Sequence, residues 1–125
     1  MAEKKNTGEL VRLVTGALDD KKAENIQLID ISQVSTLGDY FVIASGANAN
    51  QVQAMADAVE EKLGRAGVPP RSVEGYDGAK WILMDYGDII VHVFDRDTRS
   101  FYDIERIWRD GRSLNLKDIQ AKNSL

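Results

Sequence analysis

The side chains of this chain that could do chemistry are four aspartates, Asp39, Asp85, Asp88 and Asp95, the single histidine His92, and the pair Ser45-Gly46. Magnesium sites commonly use one or two carboxylates together with substrate phosphate. Asp39 and Asp85 are the residues that such a site would need for a magnesium-dependent nucleotidyltransferase-like reaction. The accompanying pattern, Gly-Ser followed by a spaced carboxylate pair on one strand, is absent. Asp88 sits beside Gly87, where Asp is expected for turn geometry alone. Ser45-Gly46 resembles the start of an anion-binding helix, but neither GxGxxG nor GxxxxGK[ST] surrounds it, and helix capping by Asn48 accounts for the same residues. His92 has no second histidine and no cysteine near it, so a packed or contact role outweighs that of a base. The chain contains no cysteine, which rules out disulfides, thiolate metal sites and cysteine nucleophiles. With one histidine, a zinc site from this chain alone would have to take its other ligands from carboxylates, an uncommon arrangement. The expectation is a protein that is not an enzyme and carries no cofactor.

Three of these residues, Asp85, Asp88 and His92, lie in the most informative stretch, Trp81–Phe94, which reads as two strands joined at Gly87-Asp88. A two-residue turn fixes the register. Tyr86 faces Ile89, Met84 faces Val91 and Ile82 faces Val93. These side chains share one face, because strand side chains alternate. That face is apolar apart from one phenol and should be core. The other face pairs Asp85 with Ile90, Leu83 with His92, and Trp81 with Phe94. Two aromatics, an imidazole and a carboxylate among aliphatics suit a surface that meets a partner, yet the pattern alone leaves Trp81 and Phe94 open between core and contact.

The remaining elements must position this hairpin. Thr7 opens a first helix with Leu10, Val11, Val14, Ala17 and Leu18 on one stripe. The segment ENIQLIDI reads as a strand, and Ser32–Gly38 as a polar loop. YFVIA at 40–44 is a continuous apolar run, expected of a strand buried on both faces. Asn48 caps a second helix with Gln51 three residues on, as in a capping box. Val52, Met55, Ala56, Val59 and Leu63 form its apolar stripe, and Pro69-Pro70 stops it. A short extended piece spans 71–74. A third helix begins at Asp97 or Thr98, with Phe101, Ile104, Ile107 and Trp108 inward and Gly111 closing it. Tyr102, off that stripe, is the better surface candidate. The order predicts an α/β fold with a mixed, mainly parallel sheet flanked by helices, the strand at Tyr40 pairing in parallel with a later one across a helix. Residues 1–111 form one domain, and 112–125 a weakly structured C-terminal tail.

The chain has 125 residues, enough for one self-sufficient core. Hydrophobic content of 43% and charged content of 29% are those of a soluble globular protein. A net charge of −4 with scattered basic residues argues against a partner held by phosphate neutralisation, but not against a basic protein. No apolar leader or membrane-spanning run is evident, so a cytoplasmic location is expected.

Taken together, TLGDYFVIASG, NQV at the start of the second helix and VEGYDGAKWILMDYGDIIVHVFDRDTRSFYDIERIW resemble the ribosomal silencing factor family RsfS, also called Iojap, over roughly residues 10–108. The resemblance implies an α/β fold related to nucleotidyltransferases but without their catalytic motif. It implies binding to the large ribosomal subunit through ribosomal protein L-fourteen, a steric block to subunit joining, and lowered translation. Organellar relatives act in ribosome biogenesis, and homodimers are common in isolated members. Carried residue by residue, the contact surface falls on Trp81, Asp85, His92, Phe94 and Tyr102, with Glu105 a further acid facing a basic partner. This tips Trp81 and Phe94 from core to contact. One departure stands out: the family's S-x-R-Q pattern has an arginine where this chain has Asn50 in Ala49-Asn50-Gln51, so Asn50 is left off the contact surface.

Overall fold

The structure, a computed structural model, describes residues 7–33, 36, 38–107 and 112–114, with Ile107 and 112–114 described by backbone alone. Helix α1 (Thr7–Asp20) buries Leu10, Val11, Val14, Ala17 and Leu18, the stripe read from their spacing. Its one buried polar side chain, Thr15, donates its hydroxyl to the Val11 carbonyl at 2.9 Å, so the burial leaves no orphan. Strand β1 (Glu24–Asp30) follows, then β2 (Tyr40–Gly46), buried from Phe41 onward. Helix α2 (Ala49–Arg65) buries Val52, Met55, Ala56, Val59 and Leu63 as expected. The Asn48 side chain accepts from the Gln51 N–H at 2.9 Å. The Gln51 Oε1 accepts from Ala47 N–H at 2.6 Å, one residue before the box position. Its amide nitrogen donates to the carbonyls of Lys21 and Lys22 at 3.1 and 3.0 Å, stapling the start of α2 to the end of α1. Strands β3 (Ser72–Glu74), β4 (Trp81–Asp85) and β5 (Ile89–Asp95), helices α3 (Arg96–Tyr102) and α4 (Ile104–Ile107), and strand β6 (Arg112–Leu114) complete the order.

The sheet order is β3-β4-β5-β2-β1-β6. Strands β2 and β5 are parallel, in unbroken register from Tyr40↔Ile89 to Gly46↔Asp95, which is the pairing across α2 that the sequence led us to expect. The fold is α/β with a mixed sheet, but not a mainly parallel one: the other four pairings are antiparallel. Two connections cross over the sheet: α2 lies on the path from β2 to the edge strand β3, and α3 and α4 lie on the path from β5 to the opposite edge strand β6. The β1–β2 loop and the tight β4–β5 turn simply reverse the chain. The hairpin register agrees with the reading at every position, from Trp81↔Phe94 to Asp85↔Ile90. Residues 112–114, assigned above to a loose tail, instead extend the sheet by pairing with β1. The rest of that segment, the expected inward Trp108 and the closing Gly111 lie outside the described residues.

The two sheet faces carry two cores. Helices α1 and α2 pack on the first, where Val42, Ala44, Ile82, Met84, Ile89, Val91 and Val93 lie, with Tyr86 buried beside them. Burial raises the Tyr86 phenol above its ordinary pKa. The second face holds Ile29, Ile31, Phe41, Ile43, Ile90 and Phe94, closed by Ile104 of α4. It is a smaller core under short elements, not the open surface expected of it.

One glycine secures the entry to β4. Gly75 has φ +81, and a Cβ there would stand 2.2 Å from the Trp81 carbonyl oxygen. We expect Gly75→Ala to lower the unfolding free energy in urea by at least about 2 kcal/mol, from the left-handed backbone together with the overlap. Gly64→Ala, where nothing lies within 4 Å, provides the control and should not destabilise.

Candidate functional site

The β4–β5 ladder sets Trp81 directly opposite Phe94 and diagonal to His92. The Trp81 ring lies 4.9 Å from Phe94 and 5.0 Å from Tyr102, and Tyr102 meets Phe101 edge-on at 5.0 Å. The indole N–H donates to His92 Nδ1 at 3.0 Å. Beneath, Phe41 packs edge-on to the imidazole at 4.5 Å. These residues form a platform of rings running from the buried centre of the second face out to solvent.

The platform sorts the expected contact residues by depth. Phe94 is 0% and His92 4% exposed, so neither is open to a partner in this conformation. The expectation of an open His92–Phe94 face is corrected: the chain leaving β5 turns back as α3 and α4 across these residues, and the aromatic rings above finish the seal. Trp81 is half-buried, and Tyr102 is 49% exposed. Phe101, expected inward, is 81% exposed. The reason is a break in the helix. Asp103 takes left-handed φ 46 and ends α3, so Ile104 points inward on a new helix while Phe101 does not share its stripe. Two sequence features bear on this: adjacent aromatics cannot both face inward on one helix, and Asp tolerates the left-handed region better than most residues.

Helix α3 is held at both ends. Asp95 caps it, accepting from Thr98 N–H at 2.8 Å, two residues before the expected start. Arg99 reaches β1 and β2, whereas Tyr102 packs on Trp81 of β4. Arg99 donates to the Glu24 carbonyl and Ser45 Oγ, both at 3.2 Å, and to the Glu105 carboxylate at 3.1 and 3.4 Å. Glu105 is therefore a clamp on the α3–α4 break and is not brought to the aromatic platform. Ser45, whose hydroxyl also donates to the Glu24 carbonyl at 3.4 Å, is buried within this clamp. Asp85 is half-buried, and its Oδ1 accepts from Gly87 N–H at 2.8 Å, shaping the β4–β5 turn. Asp88 contributes its carbonyl to Asp39 and Tyr40 N–H at 2.8 and 3.0 Å, docking the same turn on the start of β2. Among the described residues, no three His, Asp or Glu side chains converge to hold a metal ion.

Beside the platform lies a concavity of about 490 Å³, lined in part by Gly75, Lys80, Trp81, Thr98, Phe101 and Tyr102. Leu83, half-buried, continues the apolar surface along β4, and exposed Glu74 stands opposite it on β3. The arrangement offers an aromatic and aliphatic surface edged by carboxylates, the composition of a protein-binding patch.

Residues 4–124 match the family model described as ribosomal silencing factor during starvation. The chain belongs to the ribosomal silencing factor family RsfS. It is 39% identical over 111 residues to ribosomal silencing factor RsfS of Bacillus subtilis, covering 89% of this chain and 94% of that protein. It is 32% identical to a mitochondrial Iojap-related protein of Arabidopsis thaliana, covering 92% of this chain and 67% of that one. A crystal structure of a Chromobacterium violaceum protein superposes with a TM-score of 0.82 at 35% identity, covering 89% of this chain and 92% of that chain. In this RsfS-family chain, no helix among the described residues is long and apolar enough to cross a membrane.

Burial pushes the pKa of His92 down to about 4 from its ordinary 6.5. Between those values the unfolded chain takes up a proton that the folded state refuses, so stability falls as pH falls through that window. At about pH 5 the histidine should cost about 2 kcal/mol relative to neutral pH. Urea unfolding of wild type and of His92→Asn at both pH values checks this. The wild type should lose about 2 kcal/mol more than the variant on acidification.

Proposed function

We propose that this RsfS-family chain is a non-enzymatic translational repressor that docks on the large ribosomal subunit in the cytoplasm, through ribosomal protein L-fourteen. The bound domain occupies space that the small subunit needs, so subunits do not join and translation falls. The observation that carries the reading is the exposed ring cluster Trp81–Tyr102–Phe101 on a member of this family. Phe101 at 81% exposure does nothing for the core, and a large aromatic left in water beside a half-buried indole is the composition of an interface centre. Acidic Asp85 and Glu74 beside Leu83, in a chain of net charge −4, favour a basic protein over bare RNA. Steric blocking needs no reacting group. That accords with carboxylates engaged in turns and caps: Asp85 bonds to Gly87, and Asp95 to Thr98.

Trp81→Ala removes a half-buried anchor and should weaken co-sedimentation with purified large subunits by roughly 30-fold or more, as truncation of a central aromatic anchor does. Phe101→Ala is the cleaner probe. Its unfolding midpoint should match wild type, while binding and inhibition of subunit joining both fall by roughly tenfold. Undiminished binding by both folded variants would place the docking surface elsewhere.

A further inference from the structure

We infer that His92 is a positioning residue: its buried Nδ1, accepting the Trp81 indole N–H, fixes the orientation in which that indole meets a partner. The inference rests on the docking role proposed for Trp81. A half-buried tryptophan on a strand has two soft side-chain torsions, and water can satisfy its N–H in more than one of them. Its ring neighbours do not choose among them by flat stacking, since Phe94 and Tyr102 lie tilted at 32° and 47° to the indole. The 3.0 Å bond to His92 does choose. It turns the N–H edge of the indole inward, toward the buried imidazole.

The imidazole itself is held on several sides. Phe41 packs edge-on at 4.5 Å, Phe94 lies parallel within 10° at 6.2 Å, and only 4% of the residue is exposed. With Nδ1 accepting, the ring proton resides on Nε2, which is buried and has no hydrogen-bond partner among the described residues. The residues around it on this face, Phe41, Ile43, Ile90 and Phe94, are apolar. Packing alone would therefore be better served by Phe or Leu, which bury no unpaired N–H. A histidine here is accounted for by what its other nitrogen does for Trp81.

The test uses the full chain and purified large subunits. His92→Asn retains an acceptor near the Nδ1 position, and His92→Leu removes it. His92→Phe replaces the leucine variant if that does not fold. The Trp81 indole N–H resonance, identified by its loss in Trp81→Phe, reports the bond directly. In His92→Leu this resonance should move upfield and exchange faster with water, and large-subunit binding should fall by roughly tenfold. His92→Asn should restore the downfield resonance and bring binding to within about twofold of wild type. A resonance unchanged in His92→Leu overturns the inference, as does wild-type binding by a folded His92→Leu when Trp81→Ala has lost binding. If Trp81→Ala binds like wild type, the docking reading fails first, and the positioning role falls with it.

Discussion

The pairing of β2 with β5 constrains the rest of the molecule. From Phe41 to Ser45 and from Ile89 to Phe94 every residue is buried, so both faces of these two strands must be shielded. A parallel pair buried this way needs a layer on each side. Helices α1 and α2, of 14 and 17 residues, supply a full layer on one side. The other side receives only the seven-residue α3 and the four-residue α4. Such short helices cannot span the sheet. The cover gives out over β4, and there Trp81, Leu83 and Asp85 remain half-exposed. The proposed docking surface is the part of the second face that these helices leave uncovered.

The same geometry puts acidic side chains to structural use around the second face. Asp85 shapes the hairpin turn, Asp95 caps α3, and Asp103 supplies the left-handed residue that breaks it. Glu24 receives both the Arg96 guanidinium through its side chain and Arg99 through its carbonyl. The Asp95 cap and the Arg96 and Arg99 bonds to Glu24 tie the short helix α3 to the sheet. Together they replace the burial that α3 and α4 are too small to provide, for α3 itself buries no residue. The platform rests on polar fastenings at its edges and aromatic packing at its centre.

Much of this was legible in the sequence, and the reasons differ by element. The hairpin register followed from Gly87-Asp88 because a two-residue turn admits one pairing, and the side-chain period of two did the rest. The α2 stripe and its Asn48 cap were readable because period and cap agree. The antiparallel majority was not, since strand direction depends on which connections cross over, and local pattern does not encode that. The depth of Phe94 and His92 was hidden for a related reason. The hairpin told us which face they share, but whether that face is covered depends on a chain reversal after Asp95. Phe101 was misplaced because a helical period was carried through Asp103, where one backbone angle resets it.

The difference between shared face and depth bears on how the family surface works. Residues that the family resemblance placed on a contact surface include two that are buried here, His92 and Phe94. Phe94 and His92 form the floor on which Trp81 rests, and Tyr102 stands beside the indole at 5.0 Å. A surface ring supported by buried rings gives up little conformational freedom on binding, because its rotamer is already restricted in the free protein. In the proposed docking role the tightly packed strand pair serves recognition as well as stability. It restricts the indole in the free protein, and the exposed edge of the platform, Phe101 and Tyr102, is the part proposed to make the new contacts.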